Sequence, residues 1–253
     1  MKNEANEPVK LNYLVTGANG ALGRAIALNL HNAGHNVLAT SRSAMKGDWL
    51  TSDSLVFLPD IDLLDRHSLT ALATRCEEFF KGPFHVINAV GRFFKDGHVP
   101  LLKVDIAEAQ EIMASNFLSV QNTATYLLPL QIQRGGGHFI GFSCTSVKYR
   151  YPRMGAFSAA KSALETFIGC LANEHYEQCI FSNVFQLSTI DTPYERQLKP
   201  DGDFDHWLEP NEIAQQVMQF TQLPTMSSGN TIHLYKHSPT FFGRSYYDRI
   251  SVK

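Results

Sequence analysis

A chain of 253 residues with 44% hydrophobic and 18% charged residues can fill a substantial core, and its length suits one α/β domain. Its formal net charge of -2 gives no electrostatic reason to expect nucleic acid or an anionic membrane as partner, and no apolar stretch nears the ~20 residues of a membrane span. The polar start MKNEANEPVK lacks a signal-peptide core, and Cys76, Cys144, Cys170 and Cys179 lack metal-type spacing, so the expectation is a cytoplasmic protein with free thiols and no metal.

No repeat or Pro/Gly/Ser-rich linker divides the chain, so residues 1–253 read as a single domain, with residues 1–10 expected to be flexible. Short apolar runs alternate with amphipathic ones, the pattern of a doubly wound parallel sheet with helices on both faces. The first predicted strand, Leu11–Thr16, runs into Thr16-Gly17-Ala18-Asn19-Gly20-Ala21-Leu22-Gly23 and then a predicted helix, Ala21–Asn32. Leu22, Ile26, Ala27 and Leu30 share a face of that helix, and Gly34 follows its end. Glycines at this spacing let a turn tighten against a pyrophosphate, whose charge the helix N-terminus favours. The candidate contacts are Gly17, Asn19, Gly20, Ala21, Leu22 and Gly23; the plainer alternative is a glycine-rich turn with no ligand.

The second strand, Asn36–Ser41, ends at Ser41 and Arg42, and the nearest acid is Asp48. A free ribose 2′-hydroxyl is usually held by a carboxylate about 20 positions after the glycines. An arginine in its place suits a 2′-phosphate instead, which selects NADP(H); otherwise Arg42 is a solvated surface charge. Further strands are predicted at Leu55–Leu58, His85–Ala89, His138–Phe142, Phe181–Leu187 and Thr231–Leu234, making seven in all. The two longest helical stretches are Asp105–Leu130 and Ala156–His175. Tyr194–Pro210 follows the sixth strand on the ligand side and reads as a mobile lid. The tail 235–253 carries Phe241, Phe242, Tyr246 and Tyr247, and packing against its own or a neighbouring subunit is the plainer reading beside a part in closing the pocket.

In order and spacing these segments resemble the short-chain dehydrogenase/reductase family over residues 11 to 234. Asp62-Leu63-Leu64-Asp65 resembles the segment that holds the adenine, with Asp62 and Leu63 as contacts. Asn88-Ala89-Val90-Gly91 resembles the end of the fourth strand, with its second asparagine lost, and implies Asn88, Ala89 and Val90 as cofactor contacts. Asn116 matches the asparagine that links the active-site lysine to water, and Ile190-Asp191-Thr192 the segment that holds the carboxamide through Ile190 and Thr192. Ala21 stands where short family members carry glycine, and Leu187-Ser188 where Pro-Gly is usual. The resemblance implies a Rossmann-like fold, a small-molecule substrate, and a homodimer or homotetramer.

The departure that bears most on function is Phe157-Ser158-Ala159-Ala160-Lys161. In the family a tyrosine in the Phe157 position donates the proton, and the lysine matching Lys161 lowers its pKa and binds ribose. The family's serine, thirteen residues earlier, is Cys144 here, with Ser143 beside it. A positioned general acid is worth about 10²–10⁴ in rate and an oxyanion donor about 10²–10³. Phenylalanine donates nothing and a thiol donates weakly, so ordinary carbonyl reduction by this set alone is expected to be very slow. Tyr149, Tyr151, Tyr194, Thr145, Ser146 and His98 are candidate substitutes, each with packing or surface exposure as its plainer role. Cys144 reads as a buried filler before a nucleophile, although Lys161 would stabilise its thiolate. The resulting expectation is an NADP(H)-dependent oxidoreductase acting on a C=N, C=C or unusual carbonyl group. The alternatives are a dinucleotide-binding catalyst without net redox and a pseudoenzyme or regulatory binding module.

Overall fold

Seven short apolar runs pair in parallel into one sheet: β1 (Asn12–Thr16), β2 (Asn36–Thr40), β3 (Leu55–Leu58), β4 (His85–Asn88), β5 (Gly137–Cys144), β6 (Ile180–Leu187) and β7 (Thr231–Leu234). Their order is β3-β2-β1-β4-β5-β6-β7. This computed structural model describes residues 9–45, 49, 51–223 and 227–236. The expectations for residues 1–8, for Asp48 and for the aromatic tail from residue 237 lie outside the described residues.

Every interior strand is buried on both faces, so its side chains alternate between two cores rather than between core and water. Tyr13 and Val15 join Ile26, Leu30, Phe142, Phe185, Ile213 and Val217 in one core. That face is covered by α1 (Ala21–Asn32) and by α8 (Pro210–Gln222). Leu14, Leu38, Phe139 and Val184 face the other core with Leu69, Leu127, Leu164 and Ile168. These last come from α2 (Arg66–Phe79), α4 (Ser119–Gln133) and α6 (Gly155–His175). The remaining helices are α3 (Ile106–Met113), α5 (Ser146–Tyr149) and α7 (Pro193–Leu198).

The sheet order reverses between β1 and β4, so a crevice opens above Thr16 and Asn88 at the strands' carboxyl ends. Two expectations change here. The predicted helix Asp105–Leu130 is interrupted by a π-helical turn, Ala114–Leu118, because an inserted residue widens the turn that carries Asn116. β5 runs two residues beyond its predicted end, since Ser143 and Cys144 pair with Gln186 and Leu187. The segment expected as a lid contains regular structure. Thr192 caps α7 by accepting the Glu195 backbone N–H at 3.1 Å, a 3₁₀ turn spans Phe204–His206, and Ile190 bridges Leu208.

The amino ends of the strands carry a different feature. Tyr13, His85 and His138 lie side by side across β1, β4 and β5, with ring centroids 4.8 Å and 5.3 Å apart. His85 Nδ1 accepts the His138 backbone N–H at 3.0 Å, and both rings are buried. Burial pushes the His85 pKa down to about 3 and that of His138 down to about 4. The Tyr13 hydroxyl, hydrogen-bonded to Thr221 at 3.0 Å, is pushed up to about 12 by burial.

Candidate cofactor cleft and reaction centre

The turn after β1 is fixed by contact with the end of β4. Gly17 has φ 71°, and a Cβ there would stand 2.8 Å from the Ala89 carbonyl, so neither the conformation nor the space admits another residue without strain. Past this turn the first residues of α1 open onto a cleft of about 1030 Å³ lined by Gly20, Ala21, Leu22 and Gly23. A second cleft of about 230 Å³, lined by Gly17, Ser41, Arg42, Asp62 and Leu63, adjoins it. Gly20, Ala89, Val90, Gly91 and Arg92 border both, so the two form one continuous channel over the glycine turn.

The large cleft brings together Asn116, Ser143, Cys144, Phe157, Lys161, Ile190 and Thr192. The structure therefore gathers the predicted site residues with two exceptions. Asn19 borders neither cleft; its amide donates to Ala44 O at 2.8 Å and to Ser43 Oγ at 3.0 Å, which clips the glycine turn to the loop after β2. Asn88 is buried between strands and donates to Ile140 O at 3.3 Å, because its side chain follows the strand alternation away from the crevice. Both act on the walls instead of touching the channel.

Lys161 is 6% exposed, and its Nζ donates to Phe142 O at 2.8 Å. Burial lowers its pKa to about 8, against the opposing pull of Cys144 and Glu165. The ammonium lies 5.7 Å from the centroid of Phe157, whose ring packs edge-on against Phe93 at 4.9 Å. Position 157 thus holds a cation–π contact and an aromatic pair, and offers no hydroxyl. Asn116 donates from Nδ2 to Arg92 O at 2.8 Å and Ile112 O at 2.9 Å. Among the described residues its buried Oδ1 has no hydrogen-bond partner, and neither has the buried Ser143 Oγ. Cys144 Sγ accepts the Ser146 backbone N–H at 3.5 Å.

Gly91 is a residue the sequence reading passed over. A Cβ there would stand 2.8 Å from Asn116 Oδ1 and 3.3 Å from Lys161 Nζ, so its bare face is where the orphan acceptor and the buried cation converge. The glycine closing Asn88-Ala89-Val90-Gly91 was its signal. Phe93, Met154 and Trp207 also line the cleft, and in a sequence such aromatic and thioether side chains in loops look alike whether they pack or bind. The two outer walls are joined by the Tyr194 hydroxyl, which donates to Phe94 O at 2.8 Å. Asp191 pairs with Arg196 at 2.5 Å, which holds the carboxyl below its usual range.

A parallel sheet with a glycine turn over its switch point, and a buried lysine on the long helix behind it, defines a protein of the Rossmann-like class. More narrowly, the sequence profile described as short chain dehydrogenase matches residues 12–203, and the chain belongs to that family. The Dehydrogenase/reductase SDR family protein 7-like of Drosophila melanogaster is 26% identical over 81% of this chain and 68% of its own. An uncharacterized oxidoreductase of Staphylococcus aureus is 25% identical over 87% of this chain and 94% of its own. Among solved structures, a short-chain type dehydrogenase/reductase from Mycobacterium ulcerans superposes with a TM-score of 0.77 at 19% identity, covering 89% of this chain and 90% of that one. ElxO with NADP bound gives 0.80 at 16% identity, covering 89% and 97%. A tyrosine-to-phenylalanine variant of ElxO with NADPH bound gives 0.79 at 17% identity, with the same coverage.

Proposed function

We propose that this protein is an NADP(H)-dependent oxidoreductase that reduces a C=N, C=C or unusual carbonyl group of a small molecule at a centre lacking the family's phenol. The observation that carries this reading is the single channel with Arg42 at its narrow end and buried Lys161 at its wide end. A dinucleotide fits the residues present. The Gly17 turn leaves bare backbone for a pyrophosphate, the α1 N-terminus faces it, and Asn116 Oδ1 awaits a donor. When bound, its reduced nicotinamide supplies the hydride.

The chain's own residues do the rest. Arg42 pairs with a 2′-phosphate, Asp62 and Leu63 flank the adenine side, and Lys161 holds the nicotinamide ribose. Ile190 and Thr192 border the carboxamide end, and Ser143 and Cys144 face the substrate. The ElxO structures with NADP and NADPH support NADP(H) as the dinucleotide. A homodimer or homotetramer in the cytoplasm is part of this proposal; light scattering and cell fractionation test these points. Among the described residues, no helix is long and apolar enough to cross a membrane.

The deciding experiment is calorimetric titration with NADPH and NADH. NADPH is expected to bind at micromolar concentration, at least tenfold tighter than NADH. Arg42→Ala should cost NADPH about 1.5–3 kcal/mol, the worth of a hydrogen bond to a charged group, and leave NADH unchanged. Equal affinities for the two dinucleotides would refute the NADP(H) assignment. Product formed without loss of NADPH would move the reading to a non-redox catalyst.

A further inference from the structure

With no hydroxyl at position 157, two other phenols line the large cleft: Tyr194 on α7, and Tyr151 on the loop between α5 and α6. Two non-glycine residues of that loop, Arg150 at φ 51° and Arg153 at φ 65°, hold left-handed backbone. Such conformations cost about 1–3 kcal/mol each and persist where the surroundings impose them, a condition common at functional sites. The turn at Arg150 ends α5 and stacks Tyr149 on Tyr151, with ring centroids 5.9 Å apart and planes at 22°. Tyr149 is hydrogen-bonded to Tyr235, which follows β7, and Tyr151 and Cys144 both act electrostatically on that hydroxyl. At the loop's far end, Arg153 O accepts the Val99 backbone N–H at 3.1 Å, which ties it to the opposite wall. Tyr151 itself lines the large cleft with Ser143, Cys144, Phe157 and Lys161, and its hydroxyl is buried.

The other candidate groups are placed less well. Tyr194 is 44% exposed and sits on the outer wall, where its hydroxyl donates to Phe94 O at 2.8 Å. His98 is exposed and packs edge-on against Phe93 at 5.3 Å. Ser146 does not border the cleft; Thr145 does, but an aliphatic hydroxyl is not among the usual general acids.

We infer that Tyr151 is the proton donor of this centre, acting from the loop after α5 in place of the missing phenol, and that the group reduced is a neutral carbonyl rather than an iminium ion. This inference rests on the dinucleotide reading above. In the step, the carbonyl carbon gains a hydride from NADPH, which becomes NADP⁺, and the carbonyl π pair moves to the oxygen. That oxygen takes the Tyr151 proton, and the phenolate recovers one from water. Ser143 and Cys144 line the same cleft.

Three readouts test it on wild type, Tyr151→Phe, Phe157→Tyr and the double variant Tyr151→Phe/Phe157→Tyr. They are NADPH calorimetry, NADPH consumption with a panel of aliphatic and aromatic aldehydes and ketones, and ultraviolet titration of tyrosine ionisation in cofactor-free protein. The titration is repeated with NADP⁺ bound. Tyr151→Phe is expected to bind NADPH as wild type does and to lose about 10²–10⁴-fold in turnover. The double variant should match Phe157→Tyr alone within threefold, whereas a purely structural loss would leave it as far below Phe157→Tyr as Tyr151→Phe lies below wild type. Lys161 is neutral where a phenol ionises, so the nicotinamide cation is the charge read here, and the ionisation step absent from Tyr151→Phe should move to lower pH with NADP⁺ bound. Turnover by Tyr151→Phe within threefold of wild type, with NADPH still bound, overturns the inference alone. If wild type reduces nothing on the panel, the titration decides, and an ionisation indifferent to NADP⁺ overturns it. If NADPH does not bind wild type, the dinucleotide reading fails first and takes this inference with it.

Discussion

Phe157 presents an aromatic face, and no hydroxyl, to the cation behind it. Lys161 keeps its bond to Phe142 O, so the buried charge is satisfied by backbone and needs no phenol to hold it in place. Phe157→Tyr is therefore expected to fold normally and to gain NADPH-dependent reduction of simple aldehydes, at least tenfold over wild type in a spectrophotometric assay. No gain across a broad panel would mean that the Phe93 contact turns the ring away from the reacting group. The lysine also sets a pH dependence. Its folded pKa of about 8 lies below its ordinary value of 10.5, so it is an ammonium below pH 8, the form the proposed ribose contact calls for, and neutral above. NADPH affinity measured from pH 7 to 9.5 should fall through pH 8 in wild type and stay flat in Lys161→Met. At this scale the family resemblance pointed to Phe157, Cys144 and Lys161, and the fold brings all three to one cleft. The sequence could not disclose that Asn19 and Asn88 turn away from the channel, because residue type and spacing set a turn's backbone but not where an amide finds its carbonyl.

The elements were legible wherever a period repeated. All seven strands were expected within two residues, since a parallel sheet buries both faces and writes short apolar runs. α2 and α8 went unnamed despite good signals. Asp65 caps α2 by accepting the Ser68 backbone N–H at 2.7 Å, with Leu69, Leu72 and Cys76 buried behind it. Glu209 and Glu212 form a capping box around Pro210 at the start of α8. The π turn at Ala114–Leu118 is of another kind, because one extra residue in a turn leaves the apolar period almost intact while re-aiming Asn116. The glycine turn between β1 and α1 gives the sharpest prediction here. Gly17→Ala must shift either φ or the Ala89 backbone, at about 1–3 kcal/mol for the strain. A fall in Tm of several degrees with loss of NADPH binding is expected by calorimetry; an unchanged Tm would show that the turn relaxes freely.

For the molecule as a whole, acid stability follows from the histidine row. Unfolded, His85 and His138 protonate near pH 6.5; folded, they hold out to about pH 3 and 4. Between those limits the unfolded chain binds more protons, so stability falls as pH drops below 6.5 and continues falling toward pH 3. Two such groups amount to several kcal/mol, a large share of a typical domain's 5–15 kcal/mol. Protonating His85 Nδ1 would also break its bond from the His138 N–H. Urea unfolding at pH 7.5, 6, 5 and 4.5 should show a steep loss of stability, and His138→Phe should flatten it. A flat wild-type profile would mean that water reaches these rings.

The two ends of the sheet are chemically separate. Along β5, His138 and Cys144 are six residues apart, about 20 Å at ~3.3 Å per residue. Substitutions that far apart without shared partners usually add. A protein engineer could therefore harden this chain against acid by rewriting the histidine end and alter its turnover by rewriting the cysteine end. The two libraries could be screened separately and recombined without a fresh search.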